Sequence, residues 1–157
     1  MKKVVVLLLA VIVVAMSANA KQPKKVLYKN TVRCLNTELD GSETLRITGF
    51  GRNRDDAKEQ AMKNAVWVVL FEGVKDGNKG CNMKPLIEEV NAREKYEEYF
   101  DIFFMDKGEY LNYVTLQDTK FRSHNKDKTK IGRAYEITVR VLRSQLKSRL
   151  KQDNVLH

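Results

Sequence analysis

The sequence predicts an α+β fold in which an antiparallel sheet of about four strands carries a long, alanine-striped helix on one face. Two patterns carry this prediction. Apolar and polar residues alternate from Ile131 to Val141, as in a strand with one buried face. Ala57, Ala61 and Ala65 recur at four-residue spacing, as on a helix that lies close to a sheet. The predicted order of elements is ββ-α-α-ββ-α.

The first two strands are predicted to form a hairpin. Residues 26–39 are strand-like, and the turn signal Asp40-Gly41 follows them. Leu45 and Ile47 then alternate with polar residues, which indicates a second strand that ends at residues 49–51.

The long helix is predicted from Asn53, which is a suitable N-cap, to about Val74. Asp55 and Asp56 follow the cap and favour the positive end of the helix dipole. Since small side chains allow close approach, the alanine stripe is expected to face the strands.

An insertion, residues 75–109, is predicted to comprise a loop and an aromatic helix. Glycine, asparagine and proline mark residues 75–85 as the loop. Asn91 and Glu94 resemble a capping box. The helix that follows carries one aromatic face, formed by Tyr96, Tyr99, Phe100, Phe103 and Phe104. This face is typical of a core, but Tyr96, Tyr99 and Phe103 are also candidates for a partner surface.

The C-terminal part is predicted to form a second hairpin and a short helix. The strands are placed at 113–124 and 131–141, with a charged turn at 125–130 between them. Leu142, Leu146 and Leu150 recur every four residues, which indicates the helix.

Residues 1–20 have the features of a secretory signal peptide. Lys2 and Lys3 precede thirteen apolar residues, and small residues stand at the two positions of an A-x-A cleavage site. A membrane anchor is the alternative, although the apolar run is shorter than the ~20 residues that span a bilayer. Lys21 stands where a lipoprotein would have cysteine.

Removal of residues 1–20 leaves 137 residues, with 27 basic and 20 acidic side chains, a charge of +7. We expect one domain, 21–157, with a flexible leader at 21–25. The composition excludes a collagen, a disulfide-dense miniprotein and a low-complexity chain.

The expected location is the periplasm, the outer membrane or cell surface, or the medium, with no transmembrane segment in the mature chain.

Cys34 and Cys81 are the two cysteines of the chain. In an oxidising compartment such a pair suggests one disulfide, and the alternative is two separate buried thiols. His124 and His157 do not lie near a cysteine at the spacing of zinc ligands. No metal site and no cofactor are therefore predicted.

The charges are unevenly distributed along the chain. Residues 86–109 contain eight acids and three bases, whereas 120–151 contain eleven bases and two acids. The basic part is a candidate polyanion-binding surface for lipopolysaccharide, lipid headgroups or acidic glycans, with nucleic acid disfavoured outside the cytoplasm. Head-to-tail self-association and ordinary solubility charge are the alternatives. The candidate residues are Lys120, Arg122, Lys126, Lys128, Lys130 and Arg133.

No catalytic constellation is predicted. Gly49-Phe50-Gly51 lacks the third glycine of a dinucleotide fingerprint, because Arg54 stands at that position. The histidines lie in a charged turn and at the last position. The paired glutamates 88–89 and 97–98 fit the solvated faces of helices.

The run Ile47-Thr48-Gly49-Phe50-Gly51, followed by the alanine stripe, resembles the N-terminal domain of periplasmic flagellar-ring assembly proteins and related small outer-membrane lipoproteins. The resemblance covers residues 43–74 well and 110–142 loosely, and the insertion departs from it. It implies an envelope location, a non-enzymatic role and participation in assemblies. Our hypothesis is therefore a non-catalytic exported protein that binds other envelope components, with a polyanion-binding module as the alternative.

Overall fold

The computed structural model describes residues 32–82, 84–117, 122–123 and 133–156. The predicted signal peptide and leader lie outside these ranges, as do the first residues of the predicted first strand and the charged turn at 125–130.

The described residues form one six-stranded sheet. Its spatial order is β3-β1-β2-β6-β4, and β5 pairs with another part of β6, on the same edge as β4. The strands are β1 (Val32–Thr37), β2 (Glu43–Gly51), β3 (Asp76–Gly77), β4 (Val114–Leu116), β5 (Arg122–Ser123) and β6 (Arg133–Val141). The α+β class is confirmed. The sheet differs from the prediction in two respects: the predicted third strand is present as two short strands, β4 and β5, and the unpredicted strand β3 pairs with β1 in parallel.

The predicted hairpin joins β1 and β2. The Gly41 amide donates to the Glu38 carbonyl at 2.9 Å, and Gly41 has a φ of +75°, which favours glycine. Asp40 Oδ1 accepts from both the amide and the hydroxyl of Ser42 at 2.9 and 2.6 Å. The bond from the Ser42 hydroxyl has the larger effect in holding the pKa of Asp40 below its usual range, and the bond from the amide adds to it.

Strands β2 and β6 form the centre of the sheet, with an antiparallel register from Glu43↔Val141 to Gly51↔Arg133. The side chains on one face are fully buried and include Leu45, Ile47, Ile137 and Val139. The predicted alternation in both strands therefore places the apolar residues in the core.

Helix α1 (Arg54–Trp67) covers this apolar face. The Asn53 side chain accepts from the amides of Asp55 and Asp56, both at 2.9 Å, so the predicted N-cap is confirmed. The alanine stripe is fully buried. A Cβ atom on Gly49 would meet the Ala57 carbonyl oxygen, which shows how closely the helix approaches β2. The α-helix ends earlier than predicted and continues as a π-helix, Val68–Glu72.

The predicted aromatic helix is broken in two. Helix α2 (Ala92–Lys95) and helix α3 (Glu97–Phe103) are separated by Tyr96, whose φ and ψ of −118° and 34° are not helical. The predicted capping box is wrong. Asn91 has a φ of −104° and a ψ of 18°, not the extended backbone of an N-cap, and its side chain forms no capping bond.

The predicted strand at 113–124 is interrupted. A 3-10 helix occupies Glu109–Tyr113, and β4 and β5 are the described parts of 113–124 that pair with β6. Leu116 pairs with Val139 and Arg122 with Glu136, so the registers of β4 and β5 against β6 differ by three residues. Helix α4 (Arg143–Gln152) confirms the predicted last element, and its Leu146 and Leu150 are buried.

Within the residues that the structure describes, no helix has both the length and the apolarity needed to cross a bilayer.

Candidate functional site

The predicted disulfide is present between Cys34 of β1 and Cys81, with 6.2 Å between their Cα atoms. The segment after β3 is fixed along β1, because the Asn78 amide donates to the Cys34 carbonyl at 3.2 Å and the Asn78 side chain donates to the Leu35 carbonyl. The region predicted as a loop is thus held to the sheet edge by both covalent and hydrogen bonds.

The segment beyond the disulfide forms one wall of a groove of about 680 Å³. The amides of Leu86 and Ile87 donate to the carbonyls of Val69 and Leu70, both at 2.9 Å. These carbonyls belong to the π-helix. The segment 84–94 is therefore seated against the end of the long helix, and the groove runs between the two.

The floor of the groove is aromatic. Trp67 and Phe71 are half-buried and their ring centroids lie 4.5 Å apart. Phe100 supports Phe71 from below, with 4.9 Å between centroids in an edge-to-face arrangement. The Arg93 guanidinium lies 4.8 Å from the centroid of the Trp67 ring, a cation–π contact.

The rim of the groove is acidic and exposed. Glu88 and Glu94 form no ion pair within the described residues, whereas Glu89 pairs with Lys95 at 3.0 Å. Val90 is 93% exposed beside them. Sequence reasoning missed this groove, because its two sides are separate segments, 67–71 and 84–94, and no periodicity joins them.

Two of the three aromatic partner-surface candidates, Tyr96 and Tyr99, bond to the residues that follow α4, and the third, Phe103, is buried. Phe103 is 1% exposed, so it belongs to the core and cannot contact a partner. The Tyr99 hydroxyl donates to Asp153 Oδ2 at 2.7 Å, and the Tyr96 hydroxyl donates to the Asn154 carbonyl at 3.3 Å. Burial and the Asp153 carboxylate raise the pKa of Tyr99. The structure thus buries Phe103, whereas Tyr96 and Tyr99 remain partly exposed.

A polar network continues from Asp153. Arg149 Nε lies 2.9 Å from Asp153 Oδ2 and 3.1 Å from Glu109 Oε1, and the Tyr113 hydroxyl donates to Glu109 at 3.4 Å. Glu109 is the main cause of the raised pKa of Arg149, and burial is the main cause of the raised pKa of Tyr113. The network fastens α4 to the 3-10 helix.

A buried ion pair lies at the end of the sheet where β2 begins and β6 ends. Glu43 is fully buried, and its Oε2 lies 3.6 Å from Nη1 of Arg143, which is itself nearly buried. Arg143 Nη2 donates to the Lys84 carbonyl at 2.7 Å. Burial raises the pKa of Glu43, and Arg143 offsets part of that rise. The alternation of β2 already places Glu43 on the face of Leu45 and Ile47, which is the signal that could have found it.

The polyanion candidates are mostly outside the described part of the chain. Lys120, Lys126, Lys128 and Lys130 lie outside it, and for Arg122 and Arg133 the structure describes only the backbone, in β5 and β6. Other bases of the region are neutralised by acids from elsewhere: Arg140 by Asp40 at 2.8 Å, Arg143 by Glu43, and Arg149 by Glu109 and Asp153.

Among the described residues, no group of three or more histidine, cysteine, aspartate or glutamate side chains could hold a metal ion. Comparisons with protein-family models, with curated proteins and with solved structures give no match to this chain.

Proposed function

We propose that this is a non-catalytic exported protein of the cell envelope that binds other envelope components or takes part in an envelope assembly. The observation that carries the proposal is the Cys34–Cys81 disulfide, because such bonds persist in oxidising compartments outside the cytoplasm. The signal-peptide pattern of residues 1–20 points the same way.

The resemblance to flagellar-ring assembly proteins and small outer-membrane lipoproteins supports the assembly role. Its motif is a Gly-x-Gly strand end followed by an alanine-striped helix. In this chain those residues allow the close packing of α1 on β2 that the Gly49–Ala57 contact reveals. The periplasm or the outer-membrane surface is the location that this resemblance favours.

Cell fractionation with a C-terminally tagged full-length chain tests the location. We expect the protein in the envelope fraction, about 20 residues shorter than the gene product, with both thiols protected from alkylation until reductant is added. A matched variant in which Val4–Met16 are deleted should stay in the cytoplasm. Recovery of the intact chain in the cytoplasm would contradict the proposal.

Crosslinking in the native envelope, followed by affinity purification, tests the binding role. We expect discrete crosslinked species that contain other envelope proteins. A protein that elutes as a monomer and yields no crosslinked species would argue against the assembly role.

The alternative function is a polyanion-binding module that uses the basic C-terminal hairpin. The observation in its favour is the excess of nine positive charges over residues 120–151, of which Lys147 and Lys151 are exposed on α4. Retention on heparin or lipopolysaccharide should fall steeply with salt. It should weaken in Lys128→Glu/Lys130→Glu but not in the control Lys75→Glu/Lys79→Glu. No retention at low salt would remove this alternative.

A further inference from the structure

We propose that the groove between the end of α1 and the segment 84–94 binds an extended peptide in which a bulky apolar residue is flanked by lysine or arginine. The inference rests on the proposed function, since it assigns the surface by which the protein would bind a partner. It is carried by three properties of the groove: an accessible aromatic floor, an acidic rim and a wall that is fixed in advance.

The floor provides a place for the apolar residue. Phe71 packs on Phe100 and Trp67 packs on Phe104, with 4.9 and 5.5 Å between the ring centroids, and both groove-lining rings remain partly exposed. Val90 extends the apolar surface, with 93% of its area in contact with solvent. Aromatic side chains in concave surfaces contribute a large share of binding energy, because they bury much area at little entropic cost.

The rim determines the charge of the ligand. Three glutamates and two bases, Lys84 and Arg93, line the groove. The Arg93 guanidinium is directed onto the Trp67 ring, and Glu89 already has Lys95 as its partner. Glu88 and Glu94 thus remain as exposed carboxylates without an ion pair among the described residues. Glu97, Glu98 and Asp101 of α3 are also exposed, which adds to the acidic character of this part of the protein, so a basic segment fits the groove best.

The wall is ordered before any ligand arrives. The disulfide holds its beginning, Arg143 holds the Lys84 carbonyl, and the amides of Leu86 and Ile87 are bonded to the π-helix. A ligand therefore does not have to order this segment, which lowers the cost of binding.

Trp67 is the single tryptophan of the chain and lies in the groove, so its fluorescence reports occupancy directly. We would titrate the mature, oxidised protein with the peptide Lys-Lys-Leu-Phe-Lys-Lys. We expect a saturable, salt-sensitive change in Trp67 emission. The peptides Glu-Glu-Leu-Phe-Glu-Glu and Lys-Lys-Ala-Ala-Lys-Lys should bind at least about tenfold more weakly.

Two charge-reversal variants locate the binding surface. Glu88→Lys/Glu94→Lys should weaken the affinity about tenfold, because it reverses two exposed charges at the rim. Glu59→Lys changes an exposed glutamate on α1 outside the groove and should alter the affinity less than about twofold. Equal losses in both variants, or no saturable change in emission, would overturn the inference.

The envelope purification separates this inference from the proposed function. If Glu88→Lys/Glu94→Lys retained every crosslinked partner, the protein would still bind envelope components, but the groove would not be the surface responsible. Loss of the partners in this variant, with retention in Glu59→Lys, would support the groove.

Discussion

Replacement of Arg143 by methionine tests the buried ion pair most directly. The substitution keeps an unbranched apolar side chain but leaves the Glu43 carboxylate without a counter-ion in the core. At 3.6 Å and an effective dielectric constant of about 20, the attraction between the two charges is about 4.6 kcal/mol. Loss of one partner of a buried pair typically costs about 3–5 kcal/mol. We expect Arg143→Met to lower the free energy of unfolding by that amount at neutral pH.

The loss should depend on pH with a definite sign. Burial raises the pKa of Glu43 above its ordinary value of 4.5, so the folded protein holds this proton more tightly than the unfolded chain. The contribution of Glu43 to the free energy of unfolding is then fully present below the pKa that Glu43 has in the unfolded chain. It is lost as the pH rises through the pKa that Glu43 has in the folded protein. Removal of Arg143 raises the folded pKa further. The deficit of Arg143→Met should therefore shrink when the pH falls from about 7 to about 5.

The assay is urea denaturation of the oxidised protein, followed by Trp67 fluorescence and circular dichroism at both pH values. Glu43→Leu/Arg143→Met removes both charges and should lie within about 1 kcal/mol of the wild type, or above it, because neither charge is then left buried. Arg140→Met, which breaks the more exposed pair with Asp40, should cost less than about 1 kcal/mol. Equal costs for Arg143→Met and Arg140→Met, or a deficit unchanged at the lower pH, would refute the reasoning.

Three further predictions concern stability and use the same denaturation assay. Gly49→Ala should lower the free energy of unfolding by about 1–3 kcal/mol, because the new methyl group overlaps the Ala57 carbonyl. The control Gly80→Ala, with open space around it, should change the free energy of unfolding by less than about 0.5 kcal/mol. Equal effects of the two substitutions would contradict the close helix–sheet contact. Asn53→Ala should cost about 1 kcal/mol through loss of the N-cap, and an unchanged stability would mean that the cap is dispensable. Cys34→Ala/Cys81→Ala should cost about 4 kcal/mol for a separation of 47 residues, and the wild type in reductant should show a similar loss.

The parts of the fold that the sequence predicts well are those where one physical cause dominates. Burial of one face imposes the alternation of β2 and β6, and close packing imposes the alanine stripe of α1. The Asn53 cap depends on neighbouring residues alone. These features are local or periodic, so a single sequence contains enough information to find them.

The predictions that failed depend on distant partners. The ladder along 113–124 is interrupted because its register is set by β6, which lies later in the chain. Asn91 has the residue type of a cap but not the backbone for one, because the segment before it is bonded to the π-helix. The two-residue strand β3 pairs with β1, more than forty residues earlier, close to the disulfide that joins Cys34 to Cys81.

The candidate site was accessible from sequence only in part. The disulfide follows from two cysteines and an export signal. The aromatic residues were predicted on one helix, which the structure breaks at Tyr96, and the bonds of Tyr96 and Tyr99 depend on Asn154 and Asp153, more than fifty residues later. The groove requires both the π-helix and the segment 84–94 in their final positions, which no local pattern encodes.

The disulfide also governs what happens when the chain is cut. Cys34 and Cys81 enclose all of β2, α1 and the π-helix in one covalent ring. A protease that cleaves a single peptide bond anywhere between them therefore releases no fragment, and the two pieces remain one molecule. The turn at Asp40-Gly41 and the exposed residues after Gly77 fall inside this ring. Outside the cytoplasm, where proteases are common, the ring would allow a nicked protein to keep its sheet and its groove wall together.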